Sequence, residues 1–146
     1  MGGWQSLLLA RARPGRIRGL VTVAAAPDFT EDGWWASFTD AQKVQLETTG
    51  RVELPSDYME PYVVTARMVE DGRAHLVLRD PLPLPFPVRC LQGTADTAVS
   101  TDTALRLLDH ADCPDMRLTL VKDSDHRFSD CPCLALIEAA VAELAG

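Results

Sequence analysis

The chain has 146 residues, of which 47% are hydrophobic and 24% charged, so it is long enough to form one globular domain or a piece of a larger one. Its 14 basic residues are outnumbered by 21 acidic ones, and the net charge of −7 argues against nucleic acid or an anionic membrane surface as the main partner. No apolar run approaches the roughly 20 residues of a membrane-spanning helix, and no secretory signal is recognisable. We therefore expect a soluble, cytoplasmic protein without a membrane span.

The apolar pattern first predicts a helix over Gln5–Arg13, with Trp4, Leu7 and Leu8 on one face. Pro14 and Gly15 end it. A nearly continuous apolar run, Ile17–Ala26, then predicts a strand buried on both faces, as in a parallel sheet. A helix followed by such a strand is half of a β-α-β unit.

The segment from 28 to 85 differs in composition from the two ends of the chain. It is rich in aromatic residues and contains two predicted helices, Asp40–Thr48 and Glu60–Glu70. It leads into a proline-rich stretch, Pro81–Pro87, which predicts an extended connector. An aromatic-rich helical insertion between core strands is typical of a lid over an apolar pocket. An ordinary excursion packed on the sheet is the alternative.

The core pattern resumes with a predicted strand over Val88–Gln92 and a helix capped by Ser100. Met116–Val121 alternates and predicts a strand near the edge of the sheet. The last helix begins near Asp130 and is predicted to bury four apolar residues, Leu134, Ile137, Val141 and Leu144. This order predicts an α/β fold with about three parallel strands flanked by helices. Residues 1–27 and 86–146 would form the core and residues 28–85 the inserted cap.

An acidic and an imidazole side chain follow two successive predicted strands. Asp96 comes after the strand that ends near Gln92, and His126 comes after the strand that ends near Val121. Ligands bind at the carboxyl ends of parallel strands, and an aspartate that accepts the Nδ1 proton of a histidine prepares that histidine to act as a base. Their order matches the last two members of a Ser…Asp…His triad. Alternatively, Asp96 only closes a turn and His126 is a solvated loop residue.

The residues at the start of the sequence match the second half of a nucleophile elbow. In a G-x-S-x-G elbow, the serine lies between a strand and a helix. If a serine preceded Met1, Gly2 would be the final glycine and the Met1 N–H would be an oxyanion donor. None of the serines present occupies a G-x-S-x-G context.

With these features, the sequence resembles the α/β-hydrolase family over essentially its whole length, and within it the branch of palmitoyl-protein thioesterases and acyl-glucuronide esterases. The resemblance depends on Met1–Trp4, Leu54–Tyr58, Pro87–Asp96 and Asp123–Arg127. It implies the C-terminal portion of an α/β-hydrolase fold and an esterase or thioesterase. Asp96 and His126 would be the acid and base of the triad, and the serine would lie just upstream of Met1.

The resemblance further implies an acyl or aryl pocket in the cap, for which we expect Trp34, Trp35, Phe38 and Tyr62 to supply the lining. The substrate would be a small-molecule or acyl-protein ester or thioester, and no cofactor is expected. The 146-residue chain alone would be inactive because the nucleophile is absent. The alternative is a non-catalytic remnant that acts as an interaction module and self-associates through an exposed sheet edge.

Two further alternatives concern the cysteines and a metal. Cys131 and Cys133 flank one proline and could form a redox module, although we favour reduced, structural thiols for all the cysteines. Asp123, Asp125 and His126 could contact a metal, but no second cluster completes a coordination shell. We therefore predict no metal site.

Overall fold

The computed structural model describes residues 1–55 and 60–146. The described helices are α1 (Gly2–Ala12), α2 (Asp40–Thr49), α3 (Ala66–Ala74), α4 (Thr101–His110) and α5 (Cys131–Ala145), with a 3-10 turn at Pro14–Arg16 and a π-helix at Phe29–Trp35. The described strands are β1 (Leu20–Val23), β2 (Arg51–Leu54), β3 (Tyr62–Thr65), β4 (Leu82–Pro83), β5 (Val88–Gly93), β6 (Ala111–Asp112) and β7 (Met116–Val121).

These elements divide into two compact units. The core unit comprises Met1–Pro27 and Val77–Gly146, and the insert unit comprises Asp28–Leu76. No described helix is both long enough and apolar enough to cross a membrane.

The core unit is built on a parallel sheet of three strands in the order β1-β5-β7. Val23 pairs with Leu91 and Gly93 pairs with Val121, so the carboxyl ends of the three strands lie at one edge. All six residues of the central strand β5 are buried. The α/β fold with three parallel strands is therefore confirmed, as is the position of Met116–Val121 at the side of the sheet.

Helices α4 and α5 of the core unit begin where the sequence offers caps. The Ser100 hydroxyl accepts from the Thr103 N–H at the start of α4, and the Asp130 carboxylate accepts from the Cys133 N–H at the start of α5. Each of these bonds satisfies one N–H that a helix start leaves unpaired. The proline-rich segment is extended, and its Leu82–Pro83 forms a two-residue parallel pairing with Ala111–Asp112.

The burial predicted for α5 is wrong at two positions. Leu134 and Val141 are 47% and 50% exposed, whereas Cys133 and Ala140 are buried. Helix α5 carries alanine or larger apolar residues on nearly every side, so its sequence does not indicate a single apolar face. The sheet packs against the face that contains Cys133.

The insert unit contains a strand pair that the sequence analysis missed. Strands β2 and β3 pair in antiparallel, and the predicted helix over Glu60–Glu70 is wrong in its first half, where Tyr62–Thr65 forms β3. The run Tyr-Val-Val-Thr has high strand propensity, and the partner strand decides its conformation. The described helix starts at Ala66, where the Thr65 hydroxyl accepts from the Met68 N–H.

Candidate active site

The loop after β5 holds the Asp96 carboxylate by both oxygens. Oδ1 accepts from the backbone N–H groups of Ala98 and Val99, both at 2.8 Å. Oδ2 accepts from the Gln92 side-chain amide at 3.0 Å and faces His126 Nδ1 at 2.9 Å. The Asp96 side chain has no exposed surface. Burial alone would raise the pKa of Asp96, but the hydrogen bonds, led by that of Val99, hold it below its usual value.

The loop after β7 holds His126 between Asp125 and Phe128, both of which have fixed positions. Asp125 Oδ1 accepts from the backbone N–H groups of Arg127 and Phe128 at 3.0 and 3.2 Å, which closes a tight turn around the histidine. Phe128 has a left-handed backbone (φ 51°) and is 1% exposed, packed in a cluster with Leu91 and Cys133. The buried phenyl ring therefore anchors a loop whose histidine side chain is 51% exposed.

The contact between Asp96 and His126 fixes the tautomer of the imidazole. An ionised carboxylate only accepts hydrogen bonds, so Nδ1 carries the proton and donates it to Oδ2. In the neutral ring, Nε2 is then the acceptor. Nε2 has no partner among the residues that the structure describes, and it can take a proton from a hydroxyl group. The two predicted residues are brought together across 30 positions of sequence.

Backbone contacts join the two loops directly. The Ala95 N–H donates to the Ser124 carbonyl at 3.0 Å, and the Asp123 N–H donates to the Thr94 hydroxyl at 2.9 Å. This approach requires a glycine at position 93. A Cβ there would lie 2.7 Å from the Ser124 carbonyl carbon and closer still to its oxygen.

The first turn of α1 lies at the same edge of the sheet. Gly3 packs so closely on the end of β1 that a Cβ would lie 2.7 Å from the Ala25 side chain. Helix α1 has Met1 as its N-cap without a side-chain cap bond. Since β1, β5 and β7 are parallel, the start of α1 and the two loops belong to the carboxyl edge of one sheet.

The four residues predicted to line a substrate pocket all lie in the insert unit. Phe38 is buried in the core of that unit, and Trp34 and Trp35 pack against this core while partly buried. Tyr62 is 48% exposed on β3. The Trp35 ring also lies under the guanidinium of Arg73 at 4.5 Å, a cation–π contact. Their role in a pocket stays a prediction.

The cysteines and the acidic residues near His126 were the remaining candidates for chemistry. All four cysteines are free thiols, Cys131 being exposed and Cys133 buried. Cys133 Sγ lies 3.1 Å from Ser124 Oγ, and burial raises the pKa of its thiol. Within residues 1–55 and 60–146, no group of three His, Cys, Asp or Glu side chains could hold a metal ion.

Two residues of the site were not singled out by sequence reasoning. Gln92 and Gly93 end the buried strand β5, where they hold the carboxylate and admit the opposing loop. A polar amide at the end of a buried strand was the available signal for Gln92. The segment around Ser56, Asp57 and Tyr58, which contributed to the family resemblance, lies outside the described residues.

The fold is that of α/β hydrolases, and comparison with known proteins agrees. A hydrolase from Agrobacterium vitis S4 superposes with a TM-score of 0.93 at 35% identity, covering 99% of this chain and 58% of that one. The mouse alpha/beta hydrolase domain-containing protein 10 superposes with a TM-score of 0.87 at 26% identity, covering 98% and 58%. The chain is therefore a relative of the α/β hydrolases and carries that fold.

Among curated proteins, the chain is similar to the rat mitochondrial palmitoyl-protein thioesterase ABHD10, with 30% identity over 146 residues. The match covers 99% of this chain and 49% of the rat protein. The chain thus spans about half the length of the curated relatives that it matches. No protein-family profile matches it.

Proposed function

We propose that this chain supplies the acid and the base of a serine hydrolase that cleaves acyl esters or thioesters. The observation that carries the proposal is the 2.9 Å contact between His126 Nδ1 and the buried carboxylate of Asp96. The nucleophile is a serine directly upstream of Met1, at the turn into α1. The similarity to a palmitoyl-protein thioesterase supports an acyl thioester as one substrate class.

The proposed reaction has two half-steps. The serine oxygen attacks the acyl carbon while His126 Nε2 takes its proton, and the Met1 N–H stabilises the oxyanion of the tetrahedral intermediate. The intermediate collapses to an acyl-serine, and His126 returns the proton to the departing alcohol or thiol. Water then repeats the sequence, with His126 as base, and releases the carboxylic acid. Throughout, Asp96 stabilises the imidazolium and does not itself take the proton.

The remaining expectations extend the same proposal. The aromatic side chains Trp34, Trp35, Phe38 and Tyr62 of the insert unit supply apolar surface for the acyl or aryl group. The 146-residue chain by itself has no nucleophile in an elbow context and is therefore inactive. The mechanism needs no cofactor, because the serine, the imidazole and the carboxylate supply all of its proton transfers.

Labelling with a fluorophosphonate tests the proposal. The longer protein that includes the residues upstream of Met1 should form a covalent adduct on the serine that precedes Met1, and mass spectrometry of the peptide would locate it. The 146-residue chain is the matched control and should form no adduct and hydrolyse p-nitrophenyl butyrate no faster than buffer. The proposal fails if the longer protein is not labelled, or if the short chain turns over substrate in a way that His126→Ala abolishes.

A further inference from the structure

The side chain of Gln92 is a buried polar group that the mechanism above does not use. It is 1% exposed and lies at the end of β5, immediately before the loop that carries Asp96. Its Nε2 lies 3.0 Å from Asp96 Oδ2, 3.0 Å from the Val99 carbonyl oxygen and 3.2 Å from the Gly93 carbonyl oxygen.

Chemistry fixes the orientation of this amide. The three oxygen atoms around Nε2 are a carboxylate oxygen and two carbonyl oxygens, all acceptors. If the amide were reversed, its own oxygen would face these three without a proton between them. The NH2 group must therefore face the Asp96 loop.

The opposite end of the same amide is not satisfied. Gln92 Oε1 is buried and has no hydrogen-bond partner within the part of the chain that the structure describes. A buried unpaired acceptor is unfavourable, and an apolar side chain of similar size would avoid that penalty. The benefit of glutamine at this position must therefore come from its donor end.

We infer that Gln92 is a positioning residue for the acid of the triad, and that its amide holds Asp96 Oδ2 in the orientation that receives His126 Nδ1. Two backbone N–H groups hold Oδ1, so the amide completes the set that stops the carboxylate from rotating. The same amide bonds to the Val99 carbonyl and so ties the carboxylate to the far end of its loop. The catalytic meaning of this inference rests on the proposed function.

His126 is the titratable group in direct contact with Asp96. The neighbouring charged side chains on the opposing loop and on the first turn of α4 are all exposed; they are Lys122, Asp123, Asp125, Arg127 and Asp102. Exposed charges are screened by solvent and salt, whereas the Gln92 amide acts on a fully buried carboxylate. Removal of the Gln92 donor should therefore change the pKa of Asp96 itself.

The test compares Gln92→Met and Gln92→Asn in the protein that includes the residues upstream of Met1. Methionine has a similar length and no donor, and asparagine keeps the amide but shortens it by one carbon, out of reach of Asp96. Carboxyl 13C NMR, assigned with Asp96→Asn, follows the titration of Asp96. Loss of one donor to the ionised form should raise the pKa of Asp96 by about half a unit in both variants. We expect kcat to fall about tenfold, with KM unchanged because Gln92 does not reach the surface.

Gln45→Met makes the same chemical change at an exposed position of α2 and is the control; it should change neither quantity. An unchanged pKa of Asp96 in both Gln92 variants would overturn the inference. A fall in kcat alone would not rescue it, because a structural role of Gln92 would be enough to explain that fall. If the wild-type protein hydrolyses no ester or thioester, the proposed function fails. A raised pKa of Asp96 in the Gln92 variants would still support the inference that the Gln92 amide fixes the carboxylate.

Discussion

Asp96 and His126 differ in exposure, and the difference fits the separate roles of acid and base proposed for them. The aspartate side chain is wholly buried and its oxygens are fully engaged, whereas half of the histidine side chain is open to solvent. A buried, hydrogen-bonded carboxylate keeps a fixed position and stays ionised. The exposed imidazole can reach a reacting group, and its bond to Asp96 limits its orientation.

Gly93→Ala is a stringent test of how the two loops meet. The new methyl group would overlap the backbone of Ser124, which cannot move aside as a flexible side chain could. The loop of His126 must shift, so we expect a loss of about 1–3 kcal/mol in the free energy of unfolding and at least a tenfold lower kcat. Urea unfolding and steady-state kinetics on the protein with its upstream residues measure both.

Gly15→Ala is the matched control, because nothing lies within 4 Å of a Cβ at that position. It should leave the unfolding free energy and kcat close to those of the wild type. Wild-type activity and stability in Gly93→Ala would contradict the close approach of the two loops.

One arginine joins the central strand of the sheet to the last helix. Arg89 uses all five of its N–H groups. They reach the carboxylates of Asp115 and Glu143, the Asp115 carbonyl and the Val88 carbonyl, at 2.7–3.1 Å. The arginine side chain is 7% exposed and its two acidic partners are about two-fifths exposed. This arrangement fixes the end of α5 against the start of β5.

Arg89→Met should remove a pH-dependent part of the stability. Hydrogen bonds from Arg89 lower the pKa values of Asp115 and Glu143 below their ordinary values of 3.8 and 4.5. Carboxyl groups with a lowered pKa stabilise the fold above the pKa of the unfolded chain, and this contribution disappears as the pH falls through the folded-state values. The gap in melting temperature between wild type and variant should therefore be largest above about pH 5 and shrink below about pH 4.

Arg117→Met is the control for this comparison. Arg117 contacts the same two carboxylates, but its side chain is 63% exposed, so solvent screens its contribution. Arg117→Met should therefore show a smaller difference in melting temperature from the wild type than Arg89→Met does. A gap for Arg89→Met that stays constant from pH 7 to pH 3 would contradict the role assigned to the ion pairs.

The elements of the core unit were predictable because their signals are local. A buried apolar run, a cap such as Ser100 and an alternating strand such as Met116–Val121 each depend on a few neighbouring residues. The β2–β3 pair and the exposed face of α5 depend on which surface packs against them, and local sequence does not report that. The Gln92 contact was not predictable either, because it requires the three-dimensional position of the Asp96 loop.

The same distinction applies to the candidate site. The pairing of Asp96 with His126 followed from a topological rule, since loops after adjacent parallel strands meet at one edge of the sheet. No comparable rule predicts which residues of the insert unit would face a ligand. Its aromatic residues divide between a buried core position, Phe38, and an exposed strand position, Tyr62, and composition does not separate the two.

The whole chain brings Asp96 next to His126 and spans about half the length of the curated relatives that it matches. Among described strands, β1 pairs only with β5, so its other side offers unpaired backbone groups. A preceding strand that ends in the nucleophile would pair there and lead directly into α1. The proposed serine and the start of α1 would then lie at the edge that carries Asp96 and His126.

If Asp96 and His126 act as one catalytic unit with a serine upstream of Met1, as we propose, then kcat depends on both side chains. The kcat values of Asp96→Asn and His126→Ala in the longer protein measure this dependence. Each should lower kcat with an acyl ester by about 10³-fold or more. His110→Ala is the control, because that histidine contacts the Asp80 carbonyl at the far end of α4, and its loss should change kcat by less than about threefold. Retention of kcat within about tenfold of the wild-type value by both site variants would contradict the account.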